Sequence, residues 1–308
     1  TFGGAFFASF PLFYATSFGG AYWVWIAILF AFVIQAVSYE FRSKARNFLG
    51  TRTFEIFLFA NGLLGTFLVG VAVATFFSGA RFTLDEMNSV TWATDARGLE
   101  AVLSVFNLSL GITVFFLARV LGLLYFIHTV DHREIVIRSK QALLRNAIPF
   151  VAFFLLFAVQ LMLREGYAVN PGTGEVFMER YKYFHNLLAM PPVLWMFLGG
   201  VLAVLGGIII PLVSKFEGGI WLTGPGTVLV VFSLFMLAGM NNTAFYPSSV
   251  DLQSSLTIRN ASPSHYTLVA MSWVSLFIPF VLTYIVIAWR AINRKKITEE
   301  EMKEGSVY

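Results

Sequence analysis

The chain has 308 residues, 57% of them hydrophobic and 12% charged, with a mean hydropathy of +0.74. A soluble domain of this length carries about twice that share of charge, so soluble folds are excluded. No cysteine is present, which removes disulfides, thiolate nucleophiles, iron–sulfur clusters and cysteine-bound zinc.

The 34 Phe and 7 Trp suit a surface that faces lipid. The net charge of +4 and the pI near 9.3 arise from Lys and Arg set between apolar runs. There they fix topology, so nucleic acid is not a predicted partner. Along the chain, Thr1-Phe2-Gly3-Gly4-Ala5-Phe6-Phe7 reads as the middle of a helix with no positive region before it, unlike a signal peptide. Residues 1–14 are expected to be the remainder of a span, ended by Pro11 and the Gly19-Gly20 pair, in a chain truncated at its N-terminus.

Crossing a bilayer core of about 30 Å takes roughly 20 helical residues. Apolar runs of that kind lie at 20–41, 54–78, 99–127, 147–164, 191–213, 219–240 and 267–289. They are continuous and lack the period-two alternation of a barrel. The predicted fold is all-α, a polytopic transmembrane bundle of seven full spans plus part of an eighth. The short fourth run is expected to be closed by Arg164 snorkelling to the interface. Residues 1–290 form the transmembrane domain and 291–308 a tail, where Thr298-Glu299-Glu300-Glu301 has the pattern of a capping box on a short surface helix.

Orientation follows from Lys and Arg in short loops. Arg42, Lys44, Arg46 and Arg52 follow the first full span, Arg133, Arg138, Lys140 and Arg145 the third, and Arg290, Arg294, Lys295 and Lys296 the last. Loops 79–98, 165–190 and 241–266 are acidic or nearly neutral. The basic loops, and with them the C-terminus, are therefore expected in the cytoplasm. The stretch Asn170-Pro171-Gly172-Thr173-Gly174 is rich in turn formers, and loop 241–266 has a composition able to fold over the outer face.

Residues able to carry chemistry are few. Arg119 is the only basic residue deep within a predicted span, where an unpaired charge costs at least ~2.5 kcal/mol. Two readings stand for it: a counter-ion for a carboxylate, quinone head group or haem propionate at a subunit contact, or an arginine snorkelling to the cytoplasmic interface. Glu40 and Glu55 flank the first basic loop; they either feed protons into a buried path or, the favoured reading, pair with Arg42, Arg46 or Arg52. Asn61, Asn107, Gln35 and Gln160 are expected to bond between helices. His128 and His132, four apart, have the spacing of a two-histidine metal site, but only Asp131 is near and no metal is predicted. His185 and His265 lie in outer loops without a clustering partner, and no span holds an axial histidine for haem. Gly199-Gly200 and Gly206-Gly207 are expected to allow close helix packing. No Ser-His-Asp set, P-loop or dinucleotide loop is present, so no catalytic residue is assigned.

Several stretches resemble subunit II of the cytochrome bd ubiquinol oxidases. Gly3-Gly4-Ala5-Phe6-Phe7-Ala8 with Pro11 resembles that family's second helix, and Tyr39-Glu40-Phe41-Arg42-Ser43-Lys44 the loop after its third. Pro247-Ser248-Ser249, Ser255-Leu256-Thr257-Ile258, Asn260-Ala261-Ser262 and Met271-Ser272-Trp273 resemble its last outer loop and final helix. Ile297-Thr298-Glu299-Glu300 and Ser306-Val307-Tyr308 resemble its tail. The resemblance implies a nine-helix family pattern in which subunit I holds haem b and haem d and subunit II has no haem ligands. It implies quinol oxidation on the outer side and reduction of O2 to water with cytoplasmic protons, in a bacterial inner membrane. Subunit I, quinone (as substrate and as a candidate structural ligand), lipid and small single-span accessory subunits are the implied partners. It matches Tyr308 to the family's proton-route tyrosine and Glu40 and Glu55 to acidic positions, while placing an acidic Trp-Asp-Gly motif before Thr1. Gln35-Ala36 departs from the Arg-Pro of many members, a loss for which Arg119 is a candidate compensation. The rival readings are a secondary transporter, which calls for inverted repeats around a mid-membrane site, and a non-catalytic membrane scaffold.

Overall fold

The computed structural model describes residues 7–42, 44 and 49–292; the tail beyond Ile292, with Tyr308, lies outside the described residues. Seven helical segments among them are long and apolar enough to cross a membrane. They are α1 (Tyr22–Phe41), α2 (Thr51–Ser78), α3 (Val105–Thr129), α4 (Arg133–Leu163), α6 (Pro191–Val213), α7 (Ile220–Gly239) and the pair α8 (His265–Ser275) and α9 (Ile278–Ile292). A short helix, α5 (Lys182–Ala189), precedes α6. These helices are apolar on every side, as lipid requires, because no solvent-facing polar stripe is needed.

α1 packs along α2, α2 along α3, α3 along α4, and α6 along α7, while α3 also meets α7. One core joins Phe77, Phe106, Phe157, Tyr183 and Leu237 at one end of the bundle. A second joins Val120, Leu124, Leu143 and Ile208 nearer the other. α8 and α9 bury no residue against the rest; Trp289 meets the Tyr125 ring with centroids 6.0 Å apart.

Where two helices cross closely, glycine permits it. A Cβ on Gly200 would lie 2.9 Å from the Gly226 carbonyl oxygen, and one on Gly226 would lie 2.9 Å from that of Gly200. Gly207 is equally tight against Thr223 and Gly219, whereas Gly199 and Gly206 have open space. Each Gly-Gly pair thus supplies one packing residue, since neighbours in a helix point about 100° apart.

Three boundaries differ from the sequence-based expectation. α4 begins at Arg133, not near 147. Nothing in residues 133–146 breaks a helix, and Glu134 and Arg138 pair one turn apart. The basic residues there ride on a helical extension instead of a loop. The helical residues 7–9 stop at Phe10, before Pro11 as expected, but Pro11 also opens a further helical turn (Pro11–Phe13), because at a first helical position its missing N–H costs nothing. That turn passes into a wider one over Tyr14–Gly20. The apolar run 99–127 is divided: Leu99–Leu103 is a 3-10 turn, and α3 starts after the extended Ser104.

One end of the bundle is basic, with the α1–α2 and α3–α4 connections. The other is capped by folded loops. β1 (Phe82–Leu84) pairs antiparallel with β2 (Val90–Trp92), and β3 (Gly166–Val169) with β4 (Val176–Glu179). Residues 241–261 lie over both hairpins: Ser248 Oγ donates to the Phe82 carbonyl, and Gln253 exchanges two bonds with the Val176 backbone at 3.2 and 3.0 Å. Thr257 and Asn260 close a reciprocal capping box. The cap is tied to the helices by Tyr167 and Tyr183, whose hydroxyls donate to the Ser78 and Phe77 carbonyls, and by Asn186, which donates to Leu237 O at 3.0 Å and Thr243 Oγ1 at 2.8 Å.

His185 is not isolated, as its place in a loop suggested. β4 and the left-handed Tyr181 turn bring Glu179 back to α5, where its carboxylate meets His185 Nδ1 at 2.9 Å and Lys182 Nζ at 3.2 Å. Lys182 is buried and also donates to Asn241 O at 3.1 Å. Burial alone would raise the Glu179 pKa, but the hydrogen bonds from His185 and Lys182 outweigh it and hold the carboxyl below its ordinary value.

Two predictions follow from this packing. Gly226→Val is expected to lower the thermal midpoint of the purified protein by overpacking worth about 1–3 kcal/mol, whereas Gly224→Val, with open space at its Cβ, leaves it unchanged; equal effects would contradict the crossing. The depressed Glu179 pKa means that its stabilisation is complete above the unfolded carboxylate value and is lost as pH falls through the folded one. Glu179→Gln should therefore cost about 1 kcal/mol near neutral pH, discounted for partial exposure. The gap to the parent protein should close on acidification; a gap that ignores pH assigns the carboxylate no such role.

Candidate functional site

At the basic end the two expected carboxylates are at the surface of the isolated chain, each in an ion pair. Glu55 accepts from Arg42 at 3.1 Å, and Glu40 meets Lys44 at 2.9 Å, one turn along. The sequence suggested Arg42, Arg46 or Arg52 as partners; among the described residues Glu55 has Arg42 and Glu40 has Lys44 instead. Among the described residues these acids line no enclosed path.

His128 and His132 do not share a helix. The chain turns extended at Val130, so α3 ends at Thr129 and His132 caps α4. The i, i+4 geometry is thereby lost, and His128 Nε2 instead accepts from Trp221 Nε1 at 3.1 Å. Among the described residues no three metal-ligand side chains cluster.

Arg119 projects from the α3 face that this chain leaves uncovered. Its Nε donates to Asn146 Oδ1 on α4 at 2.6 Å, and its Cζ lies 5.7 Å from the Phe115 ring centroid. The expected carboxylate is not supplied by the described residues.

A cavity lined by several polar groups lies at the capped end. A space of about 260 Å3 opens between α1, α2, the 3-10 turn before α3 and the loops above them. Arg81, Trp92, Glu100, Asn107, Arg164 and Tyr246 contribute its polar lining. Each is placed by local structure. Trp92 ends β2, and its indole sits over Gly20, where any Cβ would meet Nε1 at 2.2 Å. Glu100 holds the 3-10 turn through Thr94 Oγ1 at 2.8 Å and the Gly98 amide at 2.9 Å. Asn107 Nδ2 is used locally, on Ala101 O at 2.9 Å, so this amide does not bond between helices as expected. Arg164 does not snorkel outward; its guanidinium folds back over the Phe106 ring, 4.2 Å from the centroid. Burial raises the Tyr246 phenol above its ordinary range, with Thr75 bonding to it and Glu100 adding to the rise, so it stays a neutral hydroxyl.

Two buried polar atoms of residues here have no partner among the described residues, Trp92 Nε1 and Asn107 Oδ1. Such groups are costly unless something binds them. Both residues line the cavity, which presents these polar side chains beside apolar ones. Trp25 and Phe76 line this space and also an adjacent apolar groove of about 480 Å3, bounded by Phe10, Phe13, Phe235 and Phe245. A polar head with an apolar chain fits the two together. Sequence reasoning missed Trp92, Glu100 and Tyr246, which no spacing brings together; the loops do so only once folded.

Comparison with known proteins accounts for the whole bundle. The family model described as cytochrome bd terminal oxidase subunit II matches residues 1–292. The cytochrome bd-I ubiquinol oxidase subunit 2 of Escherichia coli (strain K12) is 26% identical over 99% of this chain and 82% of that protein. The cytochrome bd ubiquinol oxidase subunit 2 of Bacillus subtilis (strain 168) is 27% identical over 97% of this chain and 80% of that protein. A chain in the structure of bd oxidase from Geobacillus thermodenitrificans has the same fold, with a TM-score of 0.57 at 11% identity, covering 93% of this chain and 81% of that one. The chain belongs to the cytochrome bd terminal oxidase subunit II family, as the order of its motifs suggested.

Proposed function

We propose that this chain works beside a haem-bearing subunit I in a quinol:oxygen oxidoreductase, supporting assembly and proton delivery instead of holding redox centres. The observation that carries this reading is the family match over residues 1–292. Haem b and haem d, held by subunit I, supply electron transfer from quinol and reduction of O2 to water. This chain's own histidines fit that division. His128 and His132 lie at the basic end of α3 and α4, His185 pairs with Glu179, and His265 opens α8. None lies mid-span, where an axial ligand belongs.

The basic end faces the cytoplasm by the positive-inside rule, in a bacterial inner membrane. Glu40 and Glu55 then stand on the side from which protons are drawn, each loosely held by a cation in solvent reach. With Tyr308 they form the chain's share of a proton route, completed against subunit I. The capped end faces outward and its cavity holds one quinone molecule structurally. Trp92, Asn107 and Tyr246 would flank its head group, and the apolar groove beside Trp25 and Phe76 would take its chain. Small single-span accessory subunits complete the partner set.

Purification of the complex through this chain tests the reading. Haem b and haem d bands in the reduced-minus-oxidised spectrum, quinol-dependent O2 consumption and an extractable quinone are expected; absence of both the haem d band and the oxidase activity refutes it. In the same preparation, Asn107→Leu should lower the retained quinone with haem content unchanged. Glu40→Gln with Glu55→Gln should slow turnover several-fold at constant haem content, and an unaltered rate would return both acids to a structural role.

A further inference from the structure

Arg119 is a cation within a membrane-spanning helix, and no anion pairs with it among the described residues. The start of α3 at Val105, where the chain leaves the folded cap, sets the capped-end limit of this span. From Phe106 to Arg119 is thirteen residues of α3, about 20 Å of helix. An apolar thickness of about 30 Å leaves roughly 10 Å to the basic boundary, a gap that an arginine bridges only by pointing towards it.

Arg119 points the other way. α3 runs from the capped end to the basic end, and helix side chains lean towards their own N-terminus. Its Cζ accordingly lies against the ring of Phe115, one turn back, 5.7 Å from the centroid. Its Nε is fixed at 2.6 Å by Asn146, whose amide is itself oriented by donation to Ala142 O at 2.7 Å. Asn146 is 7% exposed, so this is a built support and not a surface encounter. Arg145, on antiparallel α4, has the opposite lean and can reach the basic boundary. Among the described residues no carboxylate pairs with Arg119.

A neutral amide and one aromatic face do not offset a guanidinium at this depth, and intramembrane cations are normally paired. None of the described residues supplies the missing charge, and a lipid phosphate sits at the boundary that Arg119 turns from. We infer that Arg119 receives a carboxylate from a transmembrane helix of another polypeptide in the oxidase, docked on the α3–α4 face. This rests on the proposed function only in requiring a partner polypeptide. Asn146 and Phe115 act as positioning residues that hold the guanidinium for it.

The test uses the complete complex. A photo-reactive benzoylphenylalanine in place of Phe115 should cross-link to another polypeptide, in a peptide whose membrane segment carries Asp or Glu. Arg119→Leu, an apolar residue on a lipid-compatible face, should lower recovery of that polypeptide after detergent washing by at least about tenfold, with Arg119→Lys intermediate. Cross-links to phospholipid alone, or full recovery with Arg119→Leu, overturn the inference. The cross-link is read without altering Arg119, and it stands or falls whatever the haem spectrum shows.

Discussion

Inside a bilayer no water reaches the backbone, so every amide within the apolar slab must bond within its own helix. That constraint produces the seven spanning segments, and it also decides where chemistry can be placed. Side chains within the slab hold the helices together chiefly by shape, which is why Gly200 meets Gly226 and Gly207 meets Gly219. Ser and Thr residues there mostly turn inward on their own helix, as Thr113 does on Ser109 O and Ser233 on Leu229 O. Polar networks between elements form at the ends, where irregular backbone is tolerated.

The two ends solve this differently. The basic end is short and open, its ion pairs exposed and individually weak. The capped end is long and tied down by bonds that are buried, such as those of Asn186, Tyr183 and Ser248. A closed cap of this kind makes a cavity beneath it possible. The same loops that satisfy one another bring Trp92, Glu100, Asn107 and Tyr246 to the lining of one space. The apolar groove beside them belongs to the helices, so the composite pocket exists only where cap and bundle meet.

Much of this was legible in the sequence. The spans follow from run length, the bipolar distribution of Lys and Arg from loop composition, and the folding of 241–266 over the bundle from its Ser, Asn and Pro content. The block Pro247-Ser248-Ser249 through Ser262, which carried the family resemblance best, is the strip that staples both hairpins. What sequence could not supply was direction and discontinuity. The four-residue spacing of His128 and His132 implies one helical face, yet an extended Val130 separates them. Glu179 and His185 looked unrelated because their pairing depends on a left-handed turn at Tyr181. The run at 147–164 looked short because charged residues hid the helix that precedes it.

Arg119 shows the limit most clearly. Hydropathy reports that a charge lies within a span, and two outcomes are compatible with that: snorkelling or pairing. They differ only in which way the side chain leans, and lean depends on chain direction and on what the neighbouring helix offers. On α4, running from the basic end, an arginine at this level points to the nearer polar boundary by default. On α3 the default is towards the membrane interior, and Asn146 reinforces it instead of correcting it. A helix that needed only to be stable would have an apolar residue here, since the adjoining surface is already apolar. The feature makes sense as part of a surface still to be covered, and so too does α9, which exposes Phe280, Tyr284 and Ile287 with no residue buried against its own chain. The cap binds most of its polar groups to one another. Arg119, on the membrane-facing side, has no anion among the described residues, and that is the electrostatics that the inferred assembly would complete.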